Sequence, residues 1–162
     1  MTVAGVACLA AVMGVLLLVG AGSEAASAKA GVEPIFTDAH LSLDAWRSKT
    51  SLCFRYDALG SFGHGCAPLR SGEPLTVLWA RVGREESLMF GATTEKTRQI
   101  FVRLPNGHRV QGRLRVAPRS IRAAMKFFAI YLPRQASVRG PATVLTVLAY
   151  GVHGRLLGRA KV

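Results

Sequence analysis

Acidic residues run out early in this chain. Of its nine Asp and Glu, none lies beyond Glu95, so residues 96 to 162 carry fourteen Lys/Arg and no Asp or Glu at all. That stretch has no carboxylate pair for general acid/base work. The acids beyond Glu24 and Glu33, namely Asp38, Asp44, Asp57, Glu73, Glu85, Glu86 and Glu95, show no spacing that matches a known mechanism, and His40, His108 and His153 stand singly. Asparagine occurs once, as Asn106 before Gly107 and His108, so there is no Asn-x-Ser/Thr glycosylation acceptor. No internal repeat, low-complexity tract or second linker marks a further domain. The glycine-rich stretch Gly60-Ser61-Phe62-Gly63-His64-Gly65-Cys66 has no Gly-Lys-Ser/Thr and so is no phosphate loop. Leu59 stands where a nucleophile elbow around Ser61 needs glycine. No catalytic residue, resident metal or cofactor is expected, and the chain reads as non-catalytic.

What the chain does have begins with twenty consecutive apolar positions, Val3 to Gly22, followed by Ser23, Glu24 and small residues ending Ala26-Ser27-Ala28. A run of this length either spans a bilayer or is a secretory signal. It is longer than the usual signal core of about 7–15 residues, yet Ala-Ser-Ala suits signal peptidase, so cleavage and retention as an anchor both stay open. Met1-Thr2 carries no Lys or Arg, which leaves orientation unassigned. Residues 1–28 are therefore a signal peptide or signal anchor, 29–38 a small polar tether, and 39–162 one domain with an extracytoplasmic location. Cys8, near the start of the run, reads as a membrane-embedded residue.

Cys53 and Cys66 form an even pair behind an export segment, which predicts one disulfide. The competing reading, a metal site built from His64, Cys66, Cys53 and His40, matches no common zinc spacing.

From residue 39 on, turn residues punctuate short apolar or alternating runs every 8–12 residues or so, which predicts an all-β fold, an antiparallel sandwich of about seven or eight strands behind the N-terminal hydrophobic helix. Leu41–Arg47 and Leu52–Asp57 form a first hairpin, and Ala58–Ser71 is a loop tied down by Cys66. Leu75–Val82 and a short Ser87–Phe90 are strands. Phe127–Leu132, apolar throughout, reads as a strand buried on both faces. Thr143–Tyr150 and Arg155–Arg159 close the chain as a hairpin. Ile121–Lys126, with Ser120 as N-cap, is the one helical candidate. Trp46 and Trp79 are expected in the core. The layout resembles the small exported or membrane-anchored β-domains of GC-rich bacteria.

The best-specified element is the hairpin around Pro105-Asn106-Gly107. A two-residue turn would mix polar and apolar side chains on each face. A three-residue loop, with Pro105 and Asn106 in a type I turn and Gly107 left-handed, pairs Leu104 with His108 and Val102 with Val110. That register sets Ile100 opposite Gly112, Arg98 opposite Leu114 and Lys96 opposite Val116. It gathers Arg103, Arg109, Gln111, Arg113 and Arg115 with Phe101 on the solvent face. Four guanidinium forks beside an aromatic ring suit phosphate or carboxylate. The expected partner is an anionic lipid or wall polymer, reached through Arg103, Arg109, Arg113 and Arg115. A sensor or protein-interaction ectodomain binding an envelope protein is the alternative, and nucleic acid follows only if the domain lies in the cytoplasm.

Overall fold

The computed structural model describes residues 31–69, 73–83, 86–121, 124–132 and 144–162; the leader, Cys8 and the start of the tether lie outside them. Among these residues no helix is long and apolar enough to cross a membrane. All regular structure of the described residues beyond short 3₁₀ turns is antiparallel strand, in three four-stranded sheets rather than one sandwich of seven or eight strands.

The first sheet is a meander of β1 (Glu33–Thr37), β2 (Leu41–Ser48), β3 (Ser51–Ala58) and β4 (Ser61–Pro68). β1 occupies part of the expected tether, because a bulge between Pro34 and Phe36 turns both Ile35 and Phe36 inward. The stretch read as a disulfide loop is β4. Leu59 and Gly60, both at positive φ, close a two-residue turn that sends the chain straight back. Glycines 63 and 65 are strand positions: a Cβ at Gly63 would lie 2.6 Å from the Tyr56 hydroxyl, and one at Gly65 would lie 3.3 Å from Leu78. Cys53 and Cys66 stand opposite each other in register and form the disulfide, whose loop closure is worth about 3 kcal/mol in the chain-entropy model. With both sulfurs joined, the metal reading loses its thiolates.

The middle sheet contains β5 (Leu75–Val82), β6 (Glu86–Thr94), β9 (Arg113–Val116) and β10 (Met125–Leu132), in the order β5-β6-β10-β9. Its two inner strands are buried on both faces. Leu88, Phe90, Ala92, Phe127 and Ala129 enter a first core shared with the meander, while Met89, Phe128, Ile130 and Leu132 enter a second core shared with the third sheet. Strand side chains alternate between faces, so an interior strand covered on both sides has to be apolar at nearly every position. Met125 and Lys126, part of the helical candidate, already belong to β10; Arg122 and Ala123 lie outside the described residues, among which the one turn of helix nearby is 3₁₀ at Arg119–Ile121. Neither tryptophan is a core residue. Leu78, Ala80 and Val82 take the inward positions of β5 and leave Trp79 47% exposed, while Trp46 is half-buried on the outer face of the meander.

The third sheet, β12-β11-β7-β8, combines the Asn106 hairpin, β7 (Gln99–Arg103) and β8 (Arg109–Gln111), with the closing hairpin, β11 (Thr146–Tyr150) and β12 (Leu156–Lys161). The expected loop is present: Leu104 N–H donates to His108 O at 2.8 Å, Gly107 N–H to Leu104 O at 2.9 Å, and Gly107 has φ +84. Val102 pairs with Val110. Beyond Gly112 the expected pairing stops. β9 leaves for the middle sheet, where Leu114 pairs with Phe128 and Val116 with Lys126 instead of Arg98 and Lys96. Gly112 is the corner, packed so closely that a Cβ would lie 2.4 Å from Ile130 Cγ1 and 2.9 Å from Ile100 Cγ2. The second core is enclosed between these two sheets, which approach again on the far side where Gly158 sits against Pro74 and Leu75.

Candidate anion-binding face

The four arginines singled out by the hairpin register all remain exposed, but the bend at Gly112 divides them into two pairs. Arg113 and Arg115 lie on β9 and reach toward the meander, their Cζ atoms 5.1 and 5.7 Å from the centroid of the buried Phe36 ring. Arg113 also ion-pairs with Asp38. Asp38 sits in the β1–β2 turn, where its Oδ1 accepts N–H bonds from His40 at 2.9 Å and Leu41 at 3.0 Å. Tyr131, on β10, donates its hydroxyl to the His40 carbonyl at 2.6 Å, and burial pushes that hydroxyl's pKa up. This turn is thus held to the middle sheet from two strands, and Arg113 and Arg115 serve the packing of one layer on another.

The Arg113 guanidinium, with the His40 N–H, holds the Asp38 carboxyl down at about 2 against an ordinary 3.8. A depressed carboxylate pKa stabilises the fold above the unfolded value and loses that contribution as pH falls through the folded value. The stability difference between the parent and Asp38→Asn, measured by urea melting, is therefore expected to hold constant above pH 3.8 and to shrink toward zero as the pH falls to about 2. A difference that vanishes well above pH 3.8 would show that the latch does not act in the folded protein.

Arg103 and Arg109 behave differently. They are direct cross-strand partners on the outer face of the third sheet, opposite the face that packs Val102 and Val110 into the second core. The register across β12, β11, β7 and β8 extends their row to Lys161, Thr146, Arg103 and Arg109. The next outward row holds Arg159, Leu148, Phe101 and Gln111, and the third Leu156, Tyr150 and Gln99. Arg159 and Lys161 thus join Arg103 and Arg109, although the sequence places them in a separate hairpin. No acid occurs on any of these four strands. Among the described residues none of the four cations forms an ion pair. Backbones along a row stand about 4.8 Å apart and successive rows about 7 Å apart, so the four charges share a patch smaller than two Debye lengths at physiological salt.

On the opposite pole, the outer face of the meander is mixed. Arg55 binds Asp44 through Nε at 3.0 Å and Nη2 at 2.6 Å. Phe62, 87% exposed, and His64 border a shallow hollow of about 350 Å³ beside Ser42, Asp57 and this ion pair. Among the described residues no three His, Cys, Asp or Glu side chains gather as a metal site. No family model matches the chain, and neither a curated protein nor a solved structure matches it.

Proposed function

We propose that the chain is an exported or membrane-anchored, non-catalytic binding module that holds an anionic component of the cell envelope on the outer face of its third sheet. The observation that carries this reading is the grouping of Arg103, Arg109 and Lys161 in one register row and Arg159 in the next, on four strands without acids. Clustered like charge is destabilising for the sheet itself, so such a face gains most when an anion covers it. The disulfide fits an oxidising compartment, and the apolar run Val3–Gly22 fits export. Arg113 and Arg115 leave the proposed contact set, because Asp38 and Phe36 already engage them.

Co-sedimentation with phosphatidylglycerol vesicles and with an anionic wall polymer across a salt series tests the proposal. Affinity is expected to fall steeply with salt, the variant R103S/R109S/R159S/K161S to lose binding while melting as the parent does, and R113S/R115S to bind as the parent does. Salt-insensitive binding, or a quadruple variant that still binds, would overturn it. Intact mass of the natively expressed protein reports the location: Cys53 and Cys66 reduced, with the leader attached, would contradict export. A second reading, a protein-interaction ectodomain, draws on the exposed Phe62 of the meander. It predicts partner capture that survives high salt and fails in Phe62→Ser.

A further inference from the structure

We infer that the anionic component is a lipid bilayer surface, against which the outer face of the third sheet lies flat. This rests on the reading of that face given above and adds the identity of its partner. The cations are only part of the face. Half-buried Phe101 and Tyr150 and exposed Leu156 occupy contiguous outward positions beside them, around Leu148, which is itself buried. Phe101 and Tyr150 meet edge to face with ring centroids 6.0 Å apart, and Leu156 is 50% exposed.

An anionic polymer without rings is held by charge alone and gives such a patch nothing to bury, while a single-stranded nucleic acid stacks its bases on rings and leaves Leu156 uncovered. A bilayer surface uses both halves of the face. Phosphates pair with guanidinium forks and ammonium groups, while rings and short aliphatic side chains settle at headgroup level. Arg and Lys stems reach outward from an apolar footing in the same way at any membrane interface. The shape agrees, since a four-stranded antiparallel face about 14 Å across presents its side chains to a plane rather than to a single threaded strand. The apolar run also brings a bilayer within reach when it is retained: the ten residues from Ser23 to Val32 extend at most about 35 Å.

The test compares four probes at equal phosphate concentration: phosphatidylglycerol vesicles, phosphatidylcholine vesicles, linear polyphosphate and a single-stranded oligonucleotide. The full chain without its leader is used in each case. Phosphatidylglycerol vesicles are expected to bind best and phosphatidylcholine vesicles not to bind. Each cation removed is expected to weaken the vesicle complex about fivefold. Phe101→Ser with Tyr150→Ser is expected to weaken vesicle binding about tenfold, through the buried ring area, and to leave polyphosphate binding unchanged. Leu156→Ser, at an exposed position, gives a smaller loss of the same kind and stands in if the double variant does not fold. If the apolar variants bind vesicles as the parent does, or if polyphosphate or the oligonucleotide binds tighter than phosphatidylglycerol vesicles, the bilayer assignment falls and the basic face stands. If no anionic probe binds, the reading of the face falls with it.

Discussion

Phe54→Ala is expected to lower stability by about 4 kcal/mol, read as a shift in the urea midpoint with the slope preserved. Phe54 has no solvent exposure and comes from the meander. Its ring meets Phe90 edge-on at 5.5 Å and Phe127 at 5.7 Å, both from the middle sheet. Phe90 in turn meets Tyr56 at 5.5 Å. Each ring pair is worth about 0.5–1.5 kcal/mol beyond the area it buries, so truncation removes two such contacts and opens a cavity where two layers join. The damage is expected to be local to that junction. Amides of β2 and β3 should lose hydrogen-exchange protection before those of β7 and β11, because Val102 and Val147 belong to the other core. A loss under about 2 kcal/mol would mean that the meander settles onto the middle sheet without the ring, which a close-packed aromatic junction does not allow.

How much of this was legible in the residues differs from element to element, for physical reasons. The Asn106 hairpin was legible up to Gly112, since its turn chemistry and its apolar alternation agree on one register. Past the corner the inward and outward alternation continues, with Leu114 facing the second core, so nothing in the pattern marks the change of sheet. The sequence pattern therefore groups Arg113 and Arg115 with Arg103 and Arg109. β4 was hidden by its turn: a two-residue loop with both φ positive normally calls for Asn-Gly, whereas here Leu59 takes φ +51 before Gly60 at +74. β1 was hidden by its bulge, which breaks the period of two. The two-sided burial of β10 was legible in Phe127–Leu132. The same property of β6 was not, because Gly91 and the threonines Thr93 and Thr94 interrupt its apolar run. Arg159 and Lys161 reach the face through β11, which pairs with β7 across more than forty residues of sequence. No local pattern encodes such a pairing; only the assembled sheet does.

Gly112→Val is the substitution expected to damage fold and face together. The added Cβ alone would meet Ile130 Cγ1 at 2.4 Å and Ile100 Cγ2 at 2.9 Å, and both isoleucines are fixed in the second core. These are branch atoms close to the backbone rather than flexible tips, so the strand has to move. The expected cost is about 3 kcal/mol or more, at the upper end for overpacking. β8 has only three paired residues and is the element that yields, carrying Arg109 away from Arg103. Vesicle affinity is therefore expected to fall although no charge has been removed. Gly107→Ala supplies the contrast. A Cβ there meets nothing within 4 Å and strains only the left-handed φ of +84, costing about 1 kcal/mol and leaving the register alone. Melting and vesicle binding of the two variants separate the corner from the turn. A Gly112→Val protein that melts and binds as the parent does would show that the ribbon does not pass from one sheet to the other at that residue.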